Sequence, residues 1–312
     1  MLKNPGYKPG RQNAASSISG SGLLLRENMA GWLYVLPALL PLLCFWIFPV
    51  AYSFCISFTN WDMMSENIKF LGLKNYVSLF RESKFYQALG NTLVFALGST
   101  IPTIALGLLI ALLLSGLRHG RDLFQTVIFS PYITPMVAVS IVWSWIFEPR
   151  VGILNFLLSR FGLEGLEWTQ STDTAMVSVI MVTVWKQTGW TMVFYVEALR
   201  RVPKNLLEAA AIDGAGALRR FFHVMIPMVS PTTFFLVIIN TINSLQAYDQ
   251  IQVLTGGGPA GATRTLLYYY YQEAFVNFSA GKALAAASIL VFITVCLSLP
   301  EMALSKRAVH YG

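Results

Sequence analysis

Residues 31–58 read GWLYVLPALLPLLCFWIFPVAYSFCISF, and no Lys, Arg, Asp or Glu occurs anywhere between Glu27 and Asp62. About 20 mostly apolar residues suffice to carry a helix across a bilayer. This run is therefore read as a membrane span, with Pro37, Pro41 and Pro49 inside it. Working outward, similar runs cover 85–117, 123–147, 221–248 and 283–300, and a further one covers 174–196, interrupted only by Lys186. Six spans is the simplest count. A short apolar piece at 151–158 is too short to cross.

The bulk composition agrees. Only 12% of the 312 residues are charged and 55% are hydrophobic; soluble globular domains carry roughly 25% charge. Disordered chains are charge-rich, and a soluble enzyme could not cover its surface with so few polar groups. A net charge of +7 could suggest nucleic acid, but such binders concentrate basic charge instead of diluting it. The fold class expected is all-α, a polytopic membrane protein with six transmembrane helices.

Orientation follows from the excess of Lys and Arg on cytoplasmic loops. With six spans both termini lie on one side, and that side carries 13 of the 22 basic and 6 of the 15 acidic residues. The other side carries 8 basic and 9 acidic residues, and Lys186 is left inside the membrane. Both termini are expected in the cytoplasm. Residues 1–28 contain no apolar core followed by a cleavage site, so they read as a cytoplasmic N-terminal tail and not a secretory signal. Residues 29–305 form the six-span domain and 306–312 a cytoplasmic C-terminal tail. Cys44, Cys55 and Cys296 give no disulfide framework or metal spacing and read as small buried hydrophobes. No metal site and no catalytic cluster is expected, and no phosphate-binding loop occurs: in TGGGPAGATRT, Ala262 stands where that loop needs Lys.

An ionisable residue inside a span is a functional-site candidate. Thr183, Lys186, Gln187 and Trp190 share one helix face, and Asn240, Asn243, Ser244 and Ala247 have the same spacing on the fifth span. Two such stripes suit a path for a hydroxylated solute, because indole faces stack on sugar rings and amides bind hydroxyls. They equally suit hydrogen-bonded glue between spans. Lys186 could favour an anion such as a phosphate ester or donate to neutral hydroxyls; the residues leave both open. On the outer side, Gly256, Gly257, Gly258 and Pro259 suit a turn with unusual backbone angles. They read as a mobile loop able to meet a binding protein, or as a mere connector. Tyr268 to Tyr271 read as an interfacial belt, and Gly281, Ala285 and Ser288 as close packing.

The longest cytoplasmic loop, 197–220, carries the most specific pattern. Pro203 suits a helix start and 205–212 a helix, and Gly214 and Gly216 break it. Glu208, Ala209 and Ala210 are followed, after three residues, by Gly214, and then by Val224-x-Ile226-Pro227. This order, with Asp213 before Gly214, resembles the EAA signature of binding-protein-dependent ABC transporter permeases, with Val224 and Ile226 in conservative place of Ile and Leu. The stretches FLGLKNYVSLF (70–80), ALGNTLVFAL (88–97), SPYITPMVAVSIVWSWIFEPRVGILN (130–155) and LTGGGP (254–259) resemble the maltose-type, carbohydrate-uptake subgroup. The likeness is nearest to the first permease of glycerol-3-phosphate and sugar importers.

The resemblance implies a MetI-like permease core in a bacterial inner membrane, one half of a heterodimeric pore working by alternating access. It implies a second permease subunit, two ABC ATPase subunits, a periplasmic solute-binding protein and a small-molecule solute as partners, beside the lipid bilayer and without nucleic acid. It implies that ATP and Mg are held by the ATPases and that this chain binds no cofactor and is no enzyme. It further implies that Glu208, Ala209, Ala210, Asp213 and Gly214 couple to an ATPase. The two polar stripes match the positions at which one maltose-type subunit holds its sugar. The solute is expected to be a sugar or oligosaccharide, with glycerol-3-phosphate or a related polyol phosphate as the alternative and a stand-alone secondary transporter as a second one.

Overall fold

The computed structural model describes residues 34–65, 67–117 and 119–308; the tail 1–28 and the last residues, 309–312, lie outside them. Among the described residues the fold is all-helical, and an antiparallel bridge between Thr59 and Phe70 stands outside any strand. The chain divides into two compact units, the first ending at Cys55 and the second beginning at Ile56.

The first unit contributes α1, Tyr34–Ile56, whose mean hydropathy is 2.1. Its turn Leu43–Ile47 is π-helical, and it follows Pro41. A proline inside a helix removes one ladder bond, and a wider turn accommodates the displaced carbonyl.

The second unit contains α2 (Lys74–Leu79), α3 (Ser83–Ser115), α4 (Arg121–Ile133), α5 (Met136–Ile146), α6 (Ile153–Arg160), α7 (Ala175–Arg200), α8 (Lys204–Ile212), α9 (Ala217–Leu245), α10 (Asp249–Leu254), α11 (Leu266–Tyr271) and α12 (Ala280–Ala308). Among the described residues four helices are long and apolar enough to cross a bilayer, α1, α3, α9 and α12 up to Glu301. A fifth crossing results if α4 and α5 count together. Helix α7 is left out of that count by composition and not by length, since its 26 residues span about 39 Å.

The expected straight span 123–147 is two helices that meet at 99°. The cause is local. Pro135 offers no N–H and pushes Thr134 into an extended conformation, with ψ at 138°, as the residue before a proline prefers. The C-terminal tail also departs from expectation, because α12 continues through 306–308. The three cysteines are exposed, not buried.

Helix α7 is the axis of the second unit. It packs most extensively on α3 and also against α4, and 13 of its 26 residues are buried. That explains its polarity: it faces protein on most sides. Gly189 is what lets α4 approach, since a Cβ there would run into the Ile128 carbonyl. Between α3 and α9, Ser99 and Ser244 hydroxyls meet at 2.8 Å.

On the side assigned outward by charge, α3, α11 and α12 are joined by a partly buried charge cluster. Lys282 Nζ lies 2.7 Å from Glu82 Oε1 and 3.3 Å from Glu273 Oε2. The Tyr269 hydroxyl donates to Glu82 Oε2 at 2.8 Å. Tyr268 and Tyr269 are 5% and 1% exposed, so neither forms the expected interfacial belt. Burial raises the pKa of the Glu82 carboxyl, but the bonds from Lys282 and Tyr269 outweigh it and hold the value below the usual 4.5. A carboxyl depressed in this way contributes stability that is fully present above pH 4.5 and is lost as pH falls through the lower folded value.

The Lys282→Met variant should lose about 2–3 kcal/mol, toward the low end of what breaking a buried pair costs because Glu82 is partly exposed. Its pH dependence should also invert. Two carboxylates then face each other with no cation, so thermal stability in detergent should rise from pH 7 to 5, where the parent is flat. A variant that tracks the parent at every pH would show that the cluster contributes nothing.

Candidate solute cleft and coupling loop

Five of the eight stripe residues come together. Thr183, Lys186 and Gln187 on α7 and Asn243 and Ala247 at the end of α9 line one cleft of about 220 Å³. The floor is buried: Thr183, Lys186, Ala247 and Gln250 are each under 9% exposed. The rim residues Asn243, Gln246 and Asp249 are exposed, so the cleft opens at the surface of this chain. Gln250 Nε2 donates to Thr183 Oγ1 at 3.4 Å, closing the floor.

The other three stripe residues do other work. Asn240 is 1% exposed and donates back to the Leu236 carbonyl. Ser244 meets Ser99, and Thr100 at 3.5 Å, as hydrogen-bonded glue between helices. Trp190 stacks on Tyr132, with ring centres 5.9 Å apart and planes at 22°, and meets Phe194 at a tilt of 55°, with centres 4.7 Å apart. It reaches the cleft only through Tyr132.

Tyr132, Met136, Gln246, Tyr248, Asp249 and Gln250 complete the lining, and sequence reading did not single them out. Tyr132 and Met136 flank the Pro135 bend. The other four lie where α9 gives way to α10, in the sequence QAYDQ (246–250). Polar residues crowding the end of an apolar run were the available signal.

Lys186 does not project freely into this space. Its Nζ donates to the carbonyls of Pro131 at 3.2 Å and Tyr132 at 2.8 Å, and it lies 5.2 Å from the centre of the Tyr132 ring.

The Gly-rich loop is tied down, against the expectation of a mobile segment. Asn91 Nδ2 donates to the carbonyls of Gly261 and Arg264 at 2.8 and 3.0 Å. Gln87 reaches the Ala260 carbonyl at 3.1 Å, and the Leu266 amide donates to Thr92 Oγ1 at 2.7 Å. The Thr263 hydroxyl donates to the Gly258 carbonyl at 2.9 Å. Gly256 and Gly257 have φ of +57° and +76°, and at Gly257 a Cβ would also strike the Tyr268 ring. Gly256 and Ala260 remain exposed, while Gly258 and Pro259 are partly buried.

The loop 197–220 holds an exposed helix with a left-handed exit. Leu207 packs against the buried cluster that includes Tyr195, Val196 and Val202 and so seats α8 on the core. Glu208, Ala209, Asp213 and Gly214 are exposed and Ala210 is partly so. Ile212 is 87% exposed, and Leu206 and Leu218 are also exposed, so apolar side chains stand among the polar ones. Gly214 has φ of +78°, and the Ala215 amide returns to the Ala210 carbonyl at 2.9 Å. This is a helix end of the kind that favours glycine.

Comparison with known proteins gives the same architecture. Residues 103–308 match the family model "Binding-protein-dependent transport system inner membrane component". The chain is 35% identical over 285 residues to a probable ABC transporter permease protein, YurN, of Bacillus subtilis (strain 168), covering 90% of this chain and 97% of that one. It is 31% identical over 297 residues to the sn-glycerol-3-phosphate transport system permease protein UgpA of Escherichia coli (strain UTI89 / UPEC), covering 94% and 100%. In fold it matches a chain of a bacterial alginate ABC transporter solved in complex with an alginate pentasaccharide-bound periplasmic protein. That match has a TM-score of 0.79 at 21% identity and covers 93% and 98%. The chain belongs to the binding-protein-dependent transport system inner membrane component family, as a membrane-embedded ABC transporter permease and not an enzyme.

Proposed function

We propose that this permease is one half of a heterodimeric pore in a bacterial inner membrane, importing a sugar or oligosaccharide delivered by a periplasmic binding protein. The observation that carries this reading is the cleft between α7, the end of α9 and the α4–α5 bend. It is polar and rimmed by exposed amides, and it opens on one side, as a half-site shared with a second permease would. Both termini lie in the cytoplasm. Two ATPase subunits bind ATP and Mg, and this chain holds no cofactor.

Helix α8 suits a docking element. Ala209 and Ala210 allow close packing, Ile212 offers an apolar contact, and Glu208 offers a charge-assisted bond to a partner arginine. The loop around Gly256 to Pro259 is the contact for the binding protein, presented as a fixed surface by Asn91 and Gln87.

A second reading is kept because two observations favour it. Lys186 lies on the cleft wall, and the Escherichia coli relative is named a glycerol-3-phosphate permease. On that reading the solute is a polyol phosphate.

Two tests bear on the proposal. Glu208→Lys and Gly214→Asp should each lower uptake and solute-stimulated ATP hydrolysis by the assembled importer at least tenfold, at normal membrane levels. Wild-type uptake in both would remove the docking role. Gln187→Ala and Asn243→Ala each delete about 1 kcal/mol of hydrogen bonding, so KM for the imported solute should rise about fivefold. Unchanged KM in both would remove the cleft from the solute's route.

A further inference from the structure

The cleft holds two ionisable groups, and the structure uses them differently. Lys186 is 8% exposed, and two of its three donors are spent on the carbonyls of Pro131 and Tyr132. Those oxygens belong to the last turn of α4, directly before the 99° bend. The last four carbonyls of a helix have no partner within it, and their aligned dipoles place about half a negative charge at that end. Pro135 brings no N–H that could satisfy them. The ammonium of Lys186 supplies the missing donors. The helix end and the Tyr132 ring in turn answer its charge.

Asp249 is placed otherwise. It opens the first turn of α10 on the exposed rim. No ion pair joins it to Lys186, since the ion pairs among the described residues are those of Glu197 with Arg200 and Arg201 and of Lys282 with Glu82 and Glu273. The carboxylate therefore faces the entrance with its charge unmatched by the lysine. Around it stand Gln187, Asn243 and Gln246, amides that each both donate and accept.

We infer that Lys186 is a positioning residue that pins the α4–α5 bend, and that the cleft takes an uncharged, hydroxyl-rich solute and discriminates against phosphate esters and uronates. This rests on the reading of the cleft as the solute's route. A sugar hydroxyl can donate to Asp249 and exchange bonds with the amides. A phosphate or carboxylate meets Asp249 as a like charge at the rim. To reach a cation it would have to draw Lys186 off the two carbonyls and leave them unsatisfied. Presence of a buried lysine beside a ligand cleft is thus not evidence for an anionic ligand here, because the lysine already has an anionic partner in the backbone.

The test uses the complete importer, two permeases, two ATPases and the binding protein, in liposomes. Uptake and stimulated ATP hydrolysis are measured with maltose, trehalose, cellobiose and raffinose as neutral probes. Glycerol 3-phosphate, glucose 6-phosphate and trigalacturonate serve as anionic probes. At least one neutral probe should be transported and no anionic one. With the transported sugar, Lys186→Met should lower the maximal rate at least tenfold while KM stays within twofold, and Lys186→Arg should recover part of the rate. Transport of no neutral probe overturns the inference, and so does a tenfold rise of KM in Lys186→Met at unchanged maximal rate. Transport of an anionic probe with a KM that rises in Gln187→Ala or Asn243→Ala overturns the charge assignment and leaves the route standing. A KM indifferent to both of those substitutions overturns the route and the assignment with it.

Discussion

Much of the second unit is arranged around a helix end that stops at a 99° bend within an apolar segment. A crossing helix satisfies its backbone internally, and a broken one cannot. The break after Ile133 leaves carbonyls that need donors, and α7 must lie close enough to provide them. Gly189 permits that approach against Ile128, and Lys186, one turn earlier on α7, reaches Pro131 and Tyr132. Close packing and capping are therefore one requirement met by two residues three positions apart. The cleft is its by-product. Because α5 turns away at 99°, space is left between Tyr132, α7 and the end of α9, and α10 fills only part of it.

The outer layer is held by a second kind of constraint. The short helices are anchored by buried side chains, Ile251, Leu266 and Tyr269 among them, and the Gly-rich loop between them takes its shape from polar bonds to the long helices. Gln87, Asn91 and Thr92 project from α3 to three separate points of the segment 260–266. Lys282 on α12 draws together Glu82 at the start of α3 and Glu273 beyond α11. Positions that look anomalous in an apolar helix, the amide of Asn91 in ALGNTL above all, are there to hold a loop.

Much of this was legible in the sequence. Runs without charge located the long helices, because an unpaired charge in hydrocarbon is costly enough to be rare. The spacing of Glu208, Gly214 and Pro227 located the exposed helix and its left-handed exit. The stripes were only half legible. A period of 3.6 shows which residues share a face, but not what that face meets. Asn243 faces the cleft, while Ser244 faces Ser99 on α3, and Asn240 turns back to its own helix. One stripe thus divides between a solute path and interhelical glue, the two readings that periodicity left open. The bend was visible only as a proline, and its angle depends on α7 and α10, which no local pattern encodes. Tyr132, Gln246 and Tyr248 to Gln250 were missed for the same reason: they lie at helix ends, and tertiary packing brings the ends together.

The position of α8 gives the cleft a mechanical meaning. It is the connection between α7 and α9, and those two helices supply four of the cleft-lining residues. Lys186 lies 14 residues before Arg200, or about 21 Å along α7. Asn243 lies near the far end of α9, whose 29 residues span about 43 Å. Helix α9 carries a π-helical turn at Phe221–Met225 and Pro231 inside it, and Leu207 of α8 packs against the buried cluster that includes Tyr195, Val196 and Val202. On the proposed docking role, a displacement applied to the exposed face of α8 acts on both of the helices it connects. Gly214 and Gly216 lie only on the α9 side of α8, while Pro203 stands on the α7 side, so the two joints differ in backbone freedom. Unequal movement of two walls is what changes the width of a cleft, and a rigid joint on both sides would merely translate it.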